Sequence, residues 1–326
     1  MATVPPAYST GESPEIPSQE RIVVGTGAST WIWSPEGWDL THPKDPHSSL
    51  TSNGVDLDCD LVNIKIDPAK TGLVIIDMQN IGLSKALDAA TTPAMYDAQN
   101  AIIRYAIPAA RKLGLQTIWL NWGLTEDDLA NIPPAEVRVF AFKANSEKTD
   151  YGLGDQRGDP NDPINFLKIG ESPKFKNIPG TELGQVTLDD GSRVDAGRVM
   201  MRGTWNTALH GPLASVYEDG KKEARPDVWI HKNRNSGLWN EKTDLSKYLQ
   251  SQGIRTLLFS GVNTDQCVGS TLQDAHAQGF DTVFLKDGCE TDSPPYAKAT
   301  YEFNCVRAWG FLTSCKALAK AAGLNY

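Results

Sequence analysis

Cys267 stands where a helix is expected to begin, and two charged residues stand where apolar runs end: Asp77 after Gly72-Leu-Val-Ile-Ile and Lys232 after Val228-Trp-Ile-His. Thr264 is a natural N-cap ahead of the cysteine, and Val268, Leu272 and Ala275 mark the inward face of the helix that would follow. That spacing puts Cys267 in the first helical turn. Unpaired backbone N–H groups and the positive end of the helix dipole favour thiolate over thiol there, which activates a nucleophilic cysteine. The same N–H groups, that of Cys267 included, suit the oxyanion of a tetrahedral intermediate, so a Thr264 cap should fall elsewhere than on the Cys267 N–H. Taken singly, a cysteine in an apolar helix is a packing residue, a strand-end aspartate a turn residue and a lysine a solvated charge. The combination is what points to chemistry.

The elements that must position these groups are legible as apolar runs. Residues 72–77 form a short continuous run suited to a strand buried on both faces of a parallel sheet. The pattern returns at 117–121, 228–232, 256–261 and 282–285, with a last, shorter run at 311–314. Helical spacing predicts helices over 93–113, 245–252, 264–278, 295–309 and 316–322; Pro108 should kink or divide the first, and Gly114 should stop it. Strand and helix alternate, which implies an α/β fold: an open, mostly parallel six-stranded sheet flanked by helices, Rossmann-like, with right-handed crossovers. Ligands bind such sheets beyond the carboxyl ends of the strands, so Asp77, Lys232 and Cys267 should converge on one edge.

Two regions fall outside this alternation. Residues 1–65 read as an N-terminal arm, partly disordered or packed on the core or a partner subunit, ahead of a main domain at 66–326. The first 20 or so residues are rich in Pro, Ser, Glu and Thr and hold too little apolar surface to offset the entropy of ordering. Gly25 and Gly27 suggest a dinucleotide loop only superficially, because no apolar helix follows; a turn leading into an extended stretch with Trp31 and Trp33 is the reading preferred. The stretch at about 125–226 reads as an insertion of loops and short helices, with a Gly/Asp/Pro run at 154–163 and an extended or hairpin segment at 186–198. Such loops are where substrate-covering lids are found.

Composition narrows the partners. A formal net charge of -9, from 40 acidic and 31 basic residues without a long basic run, argues against nucleic acid and anionic membrane. Five cysteines form no C-x-x-C pair, and five histidines form neither H-E-x-x-H nor a compact cluster, so free thiols and no metal or other cofactor are expected. The first ten residues resemble neither a secretory signal nor a membrane anchor, which makes a cytoplasmic location the expectation.

Three motifs carry a more specific message. Gly261-Val-Asn-Thr-Asp-Gln-Cys267-Val-Gly-Ser-Thr-Leu-Gln-Asp-Ala-His-Ala-Gln-Gly279 resembles the cysteine signature of the isochorismatase-like hydrolase superfamily. Leu73-Val-Ile-Ile-Asp77-Met-Gln79-Asn resembles its aspartate strand and His231-Lys232-Asn-Arg-Asn-Ser236-Gly-Leu-Trp239 its lysine strand, in the same order. The resemblance spans about 68–320 and implies the isochorismatase-like hydrolase fold with an Asp77, Lys232, Cys267 catalytic triad. Asp77 would be the general base that takes the thiol proton, and Lys232 would hold Asp77 ionised and stabilise the thiolate. Cys267 would cleave the C–N bond of a small amide, ureido or carbamoyl substrate through a thioester. The resemblance also implies a cis peptide between Val262 and Asn263, which would aim the Asn263 to Cys267 N–H groups at the oxyanion.

Finer points separate the branches. Nicotinamidase-like members carry an Asp/His/His metal site shortly after the aspartate strand, and residues 80–87 hold no histidine. Trp119-Leu-Asn121-Trp122-Gly123 and Gly203-Thr-Trp205 are more similar to the ureidoacrylate and carbamoyl amidohydrolase branch. Asn121 could donate to a substrate carbonyl, Trp122, Trp205 and Trp239 could wall an apolar pocket, and Gln79 could orient substrate or Lys232, with Ser236 a further substrate contact; ordinary packing is the alternative for each. Vinyl-ether hydrolysis of isochorismate, which does not need the cysteine, and a catalytically silent binding protein are the competing readings. The superfamily resemblance further implies a homodimer or homotetramer, with the Trp31 and Trp33 stretch as a candidate contact.

Overall fold

The computed structural model describes residues 21–27, 29–47, 54–87, 91–143, 174–175 and 178–325. The first 20 residues and the 154–163 run lie outside the described residues. The central sheet has six strands: β1 Thr71–Ile76, β2 Gln116–Trp122, β3 Val228–Lys232, β4 Thr256–Val262, β5 Asp281–Glu290 and β6 Phe311–Thr313. Their spatial order is β3-β2-β1-β4-β5-β6, and every adjacent pair runs parallel. The order reverses between β1 and β4, so the crevice for a ligand opens between the ends of those two strands.

Continuous apolar runs produce this arrangement because helices cover both faces. Leu73, Ile75, Trp119, Leu258 and Val283 bury on one face, and Val74, Ile76, Ile118, Leu120, Leu257, Phe259 and Phe284 on the other. β1 and β4, at the centre, are buried at every position. The helix expected over 93–113 is α1 Pro93–Ala101 and α2 Ile107–Leu113, joined by a π-helical turn at Ile102–Ala106. Pro108 therefore falls in the first turn of α2, where its missing N–H is tolerated, and Gly114 at φ +76° ends the helix. The later helices are α3 Pro134–Ala141, α4 Asp244–Ser251, α5 Gly269–Ala277, α6 Pro295–Asn304 and α7 Cys315–Ala321.

The described part of the arm builds a second sheet. Its five short strands lie in the order Ile22–Thr26, Ser29–Ser34, Gly37–Asp39, Ile64–Ile66, Val55–Leu57, so the boundary expected at 65/66 falls inside a strand. Leu40, Leu57, Ile64 and Ile66 bury in the same cluster as Leu73 and Leu258. Gly25 and Gly27 belong to the hairpin between the first two strands. Trp31, expected as a partner contact, is engaged within the chain: its indole N–H donates to Asp281 Oδ1 at 2.7 Å and its ring meets Phe311. Asp281 opens β5, so this sheet docks at the amino edge of the central sheet.

Within the 125–226 stretch the described residues give helices Glu126–Ala130, α3 and Leu213–Gly220, and a hairpin of Gln185–Thr187 with Arg193–Asp195. No helix among the described residues is long and apolar enough to cross a membrane.

Candidate active site

β1 ends in a backbone conformation that ordinary pleating would not give. Alternation would send the side chain of residue 77 to the face of Ile75, but Asp77 has φ +52°, a left-handed conformation uncommon outside glycine. Its carboxylate instead meets Lys232, which ends β3 on the face of Ile230: Lys232 Nζ lies 3.0 Å from Asp77 Oδ2. The Trp122 backbone N–H donates to Asp77 Oδ1 at 3.1 Å. Such a conformation costs on the order of 1–3 kcal/mol and persists only where its surroundings hold it.

Cys267 arrives from the neighbouring strand. Gly261, at φ +118°, passes so close to β1 that a Cβ there would lie 2.1 Å from the Ile76 carbonyl oxygen. The Val262–Asn263 peptide is cis, and a π-helical turn at Thr264–Val268 leads into α5. Here the local reading needs correction. Asn263, not Thr264, occupies the N-cap position, and Gln266 at φ −116°, ψ −105° interrupts helical geometry just before the cysteine. Thr264 is fully buried and its hydroxyl meets no hydrogen-bonding group among the described residues. Cys267 thus sits in an irregular turn ahead of α5 rather than in a capped first turn.

The three side chains come together almost out of solvent, with Asp77 8%, Lys232 4% and Cys267 5% exposed. Lys232 Nζ donates to Cys267 Sγ at 3.3 Å and to the carbonyls of Arg234 and Asn235, each at 3.2 Å. Its ammonium also lies 3.7 Å from the centre of the Trp122 ring, a cation–π contact that closes the site from the β2 side. Lys232 thus bridges the Asp77 carboxylate and the sulfur.

Electrostatics reverse the expectation of a ready-made thiolate. Burial first, and the Asp77 charge second, push the Cys267 thiol up to about 12, against the pull of Lys232. Burial likewise raises the Asp77 carboxyl above its ordinary value, with Lys232 opposing, so Lys232 does not depress it as the residue types alone suggest. The resting cysteine is a thiol that has to lose its proton to a base. A carboxylate made more basic by burial is better matched to take it.

The remaining anticipated residues divide. Trp122 is buried and walls the site. Gln79 is wholly engaged with backbone: Nε2 donates to the Trp122 and Thr207 carbonyls at 2.8 and 2.6 Å, and Oε1 accepts from the Trp122 N–H at 2.9 Å. It therefore orients the end of β2, not substrate or Lys232. Ser236 Oγ accepts from the Leu238 N–H at 3.0 Å and serves its own turn. Asn121 shares the strand face of Trp119, away from Trp122 and Cys267; it is fully buried, and both amide atoms meet no hydrogen-bonding group among the described residues. Trp205 opens a short turn and its carbonyl accepts from Asn80 Nδ2 at 2.8 Å. Trp239, 46% exposed, donates to Asn233 Oδ1 at 3.2 Å and stacks with Arg234, which places it on the surface rather than in a pocket wall.

One residue at the nucleophile was not anticipated. Asn235, in the turn after Lys232, accepts from the Cys267 thiol at Oδ1 over 3.0 Å. Its position in an irregular turn gives no periodic signal. The only sequence cue is its place between the lysine and Ser236 in the lysine motif.

Comparison with known proteins bears on this geometry. The family model described as the isochorismatase domain matches residues 186–303, a stretch that carries both Lys232 and Cys267. Asp77 lies ahead of the matched stretch, on the adjoining strand of the same sheet. The fold is shared with a cysteine hydrolase from Pseudomonas syringae pv. phaseolicola 1448A, at 15% identity and a TM-score of 0.52, over 84% of this chain and 99% of that one. Matches also include the nicotinamidase PncA from Bacillus subtilis (17% identity, TM-score 0.48, 75% of this chain and 99% of that one). N-carbamoylsarcosine amidase from Thermoplasma acidophilum matches at 17% identity and a TM-score of 0.46, over 76% of this chain and 96% of that one. Among the described residues, no group of three or more His, Cys, Asp or Glu side chains could hold a metal ion.

Proposed function

We propose that the protein is a cysteine-dependent amidohydrolase that cleaves the C–N bond of a small amide, ureido or carbamoyl compound. The observation that carries this reading is the closed Asp77, Lys232, Cys267 cluster, in which Lys232 touches both the carboxylate and the sulfur. A nucleophile, a base and a fixed cation within hydrogen-bond distance are what acyl transfer requires.

The sequence of events follows from which groups hold protons. Asp77 takes the thiol proton as Sγ attacks the substrate carbonyl, and Lys232 faces the sulfur as its charge develops. Backbone N–H groups of the Asn263 to Cys267 turn hold the oxyanion, apart from that of Gln266, which donates to the Asn263 carbonyl at 3.1 Å. The C–N bond breaks, the leaving nitrogen takes the proton from Asp77, and ammonia or an amine departs, leaving a thioester. Water then attacks the thioester while Asp77 accepts its proton; the C–S bond breaks, the acid leaves, and the proton returns to sulfur. Asp77 thus acts as base and acid in turn, for which a carboxyl raised by burial is suited.

The test is ammonia release over a panel of ureido acids, carbamoyl amino acids, simple amides and nicotinamide, with wild type beside Cys267→Ser. Turnover of at least one compound, abolished in Cys267→Ser, is expected. Hydrolysis of isochorismate that survives Cys267→Ser, with no amide turnover, would replace this reading with vinyl-ether chemistry.

A further inference from the structure

The loop that follows β3 does more than carry Lys232. All the polar groups of Asn235 are engaged around the nucleophile. Its carbonyl accepts from Lys232 Nζ at 3.2 Å, and its side-chain Oδ1 accepts from the Cys267 thiol at 3.0 Å. Its Nδ2 donates to Ser270 Oγ at 2.9 Å, and its backbone N–H donates to Glu136 Oε2 at 3.0 Å. The last two contacts matter for the first two. Ser270 lies in α5, the helix that follows Cys267, and anchors the Nδ2 end of the amide. Glu136 lies in α3, so the inserted region reaches the nucleophile through this one residue. Gly237, two positions on, donates to Thr271 Oγ1 at 3.2 Å, which in turn donates to the Cys267 carbonyl at 2.7 Å.

From this arrangement we infer that Asn235 is a positioning residue that holds Cys267 as an oriented neutral thiol until the proton is drawn to Asp77. An acceptor that bonds S–H favours the protonated form, because the same oxygen would repel a thiolate. Delivery of the proton then requires the S–H bond to swing from Asn235 Oδ1 toward Asp77. Lys232, which touches the sulfur whichever way the proton points, compensates the charge that appears. The side chain is anchored at both ends, so the amide does not follow the proton. The charged and titratable groups around the sulfur are Asp77 from β1, Lys232 from β3, Glu136 behind Asn235, Asp265 within the cysteine's own turn, where it accepts from Thr291, and Tyr301 of α6 against Gly269. Of these groups, Lys232 is the one whose contact with Sγ is direct, at 3.3 Å.

This inference rests on the assignment of Cys267 as nucleophile, but it can be read without substrate. The S–H stretching band of Cys267 is isolated as the infrared difference between each protein and its Cys267→Ser counterpart, and alkylation of Cys267 by iodoacetamide is followed by peptide mass spectrometry at fixed pH. In Asn235→Ala the band should move to higher frequency and alkylation should quicken by about five- to tenfold, the loss of one hydrogen bond to the neutral form. In Asn235→Asp, which keeps the shape and adds an acceptor charge, alkylation should slow by about tenfold or more. An unmoved S–H band in Asn235→Ala, or slower alkylation in that variant, overturns the inference. The isosteric Asp variant keeps the test decisive if the Ala variant folds poorly: alkylation there as fast as wild type also overturns it. Failure of the amidase screen with these results intact would count against the proposed reaction and not against the role of Asn235.

Discussion

The central sheet buries a carboxylate at each of its two edges, and the two are held differently. At the amino edge, Asp281 accepts from Trp31 Nε1, His42 Nε2 and Thr256 Oγ1, each at 2.7 Å, and both of its oxygens are engaged. Nearby, Lys70 Nζ donates to the Thr41 and His42 carbonyls at 2.7 and 3.1 Å. At the carboxyl edge, Asp77 stands in a left-handed conformation beside a lysine shared among a carboxylate, a sulfur and two carbonyls. There Asn121, Asn263 Oδ1 and Thr264 Oγ1 meet no hydrogen-bonding group among the described residues, whereas the amino edge leaves only His42 Nδ1 in that state among its named residues. A carboxylate with both oxygens taken up by fixed donors is a fastener. One held in a strained backbone, facing a thiol and raised by burial, retains affinity for a proton. The difference separates the end where the reaction is proposed from the end that joins two sheets.

The sharpest way to break the comparison is at Asp77. Asp77→Asn should lower kcat/KM by roughly 10²–10⁴, the range for loss of a general base. The base works ionised, so wild-type activity is present above the Asp77 carboxyl's pKa and lost as pH falls through it. Because burial raises that group, the acid limb should lie above the ordinary carboxylate range. The same shift has a sign in stability: a carboxyl raised in the folded state favours the fold below its unfolded value, and that contribution is lost as pH rises through the folded one. A pH profile of kcat/KM measures the limb directly. A limb at the ordinary carboxylate value, or one that persists in Asp77→Asn, would assign the titration to another group.

At the amino edge the matching change should act on stability instead. Asp281→Ala leaves His42, Trp31 and Thr256 without their common acceptor in a buried setting, and since each buried donor left unpaired costs about 1–3 kcal/mol, a loss of several kcal/mol is expected. Urea denaturation should show that loss, while kcat/KM per folded molecule stays at the wild-type value because Cys267 lies at the far edge. A variant that folds normally but loses turnover would dissolve the distinction between the edges.

The two ends were not equally legible in the sequence. The carboxyl edge is built from long apolar runs whose ends are fixed by burial on both faces, so Asp77, Lys232 and Cys267 could be placed at one edge from the runs themselves. What escaped was local. The swap of Thr264 for Asn263 as N-cap follows from the non-helical Gln266, which no spacing reveals, and Asn235 lies in a turn whose direction is set by Ser270 and Glu136 on other helices. The thiol's upward shift was missed because residue types announce a neighbouring ammonium but not the burial that outweighs it. The amino edge was nearly opaque. Three of the five strands there have three residues each, too short for periodicity, and the contact that fixes the sheet joins Trp31 to a residue 250 positions away.

That distant contact offers the mildest test. Trp31→Phe keeps an aromatic ring in the T-shaped contact with Trp38, at 5.7 Å between centroids, and in the contact with Phe311 at 5.6 Å. What it removes is the indole N–H on Asp281 Oδ1. His42 and Thr256 both bond Oδ2, so no other described side chain takes over Oδ1, and the loss includes an unpaired buried acceptor. The expected destabilisation is about 1–3 kcal/mol by denaturant midpoint, smaller than for Asp281→Ala because the charge and its histidine remain. If Trp31→Phe cost as much as Asp281→Ala, the indole alone would be the principal fastener of the amino edge, and a carboxylate shared among three donors would be the wrong description of how the two sheets are joined.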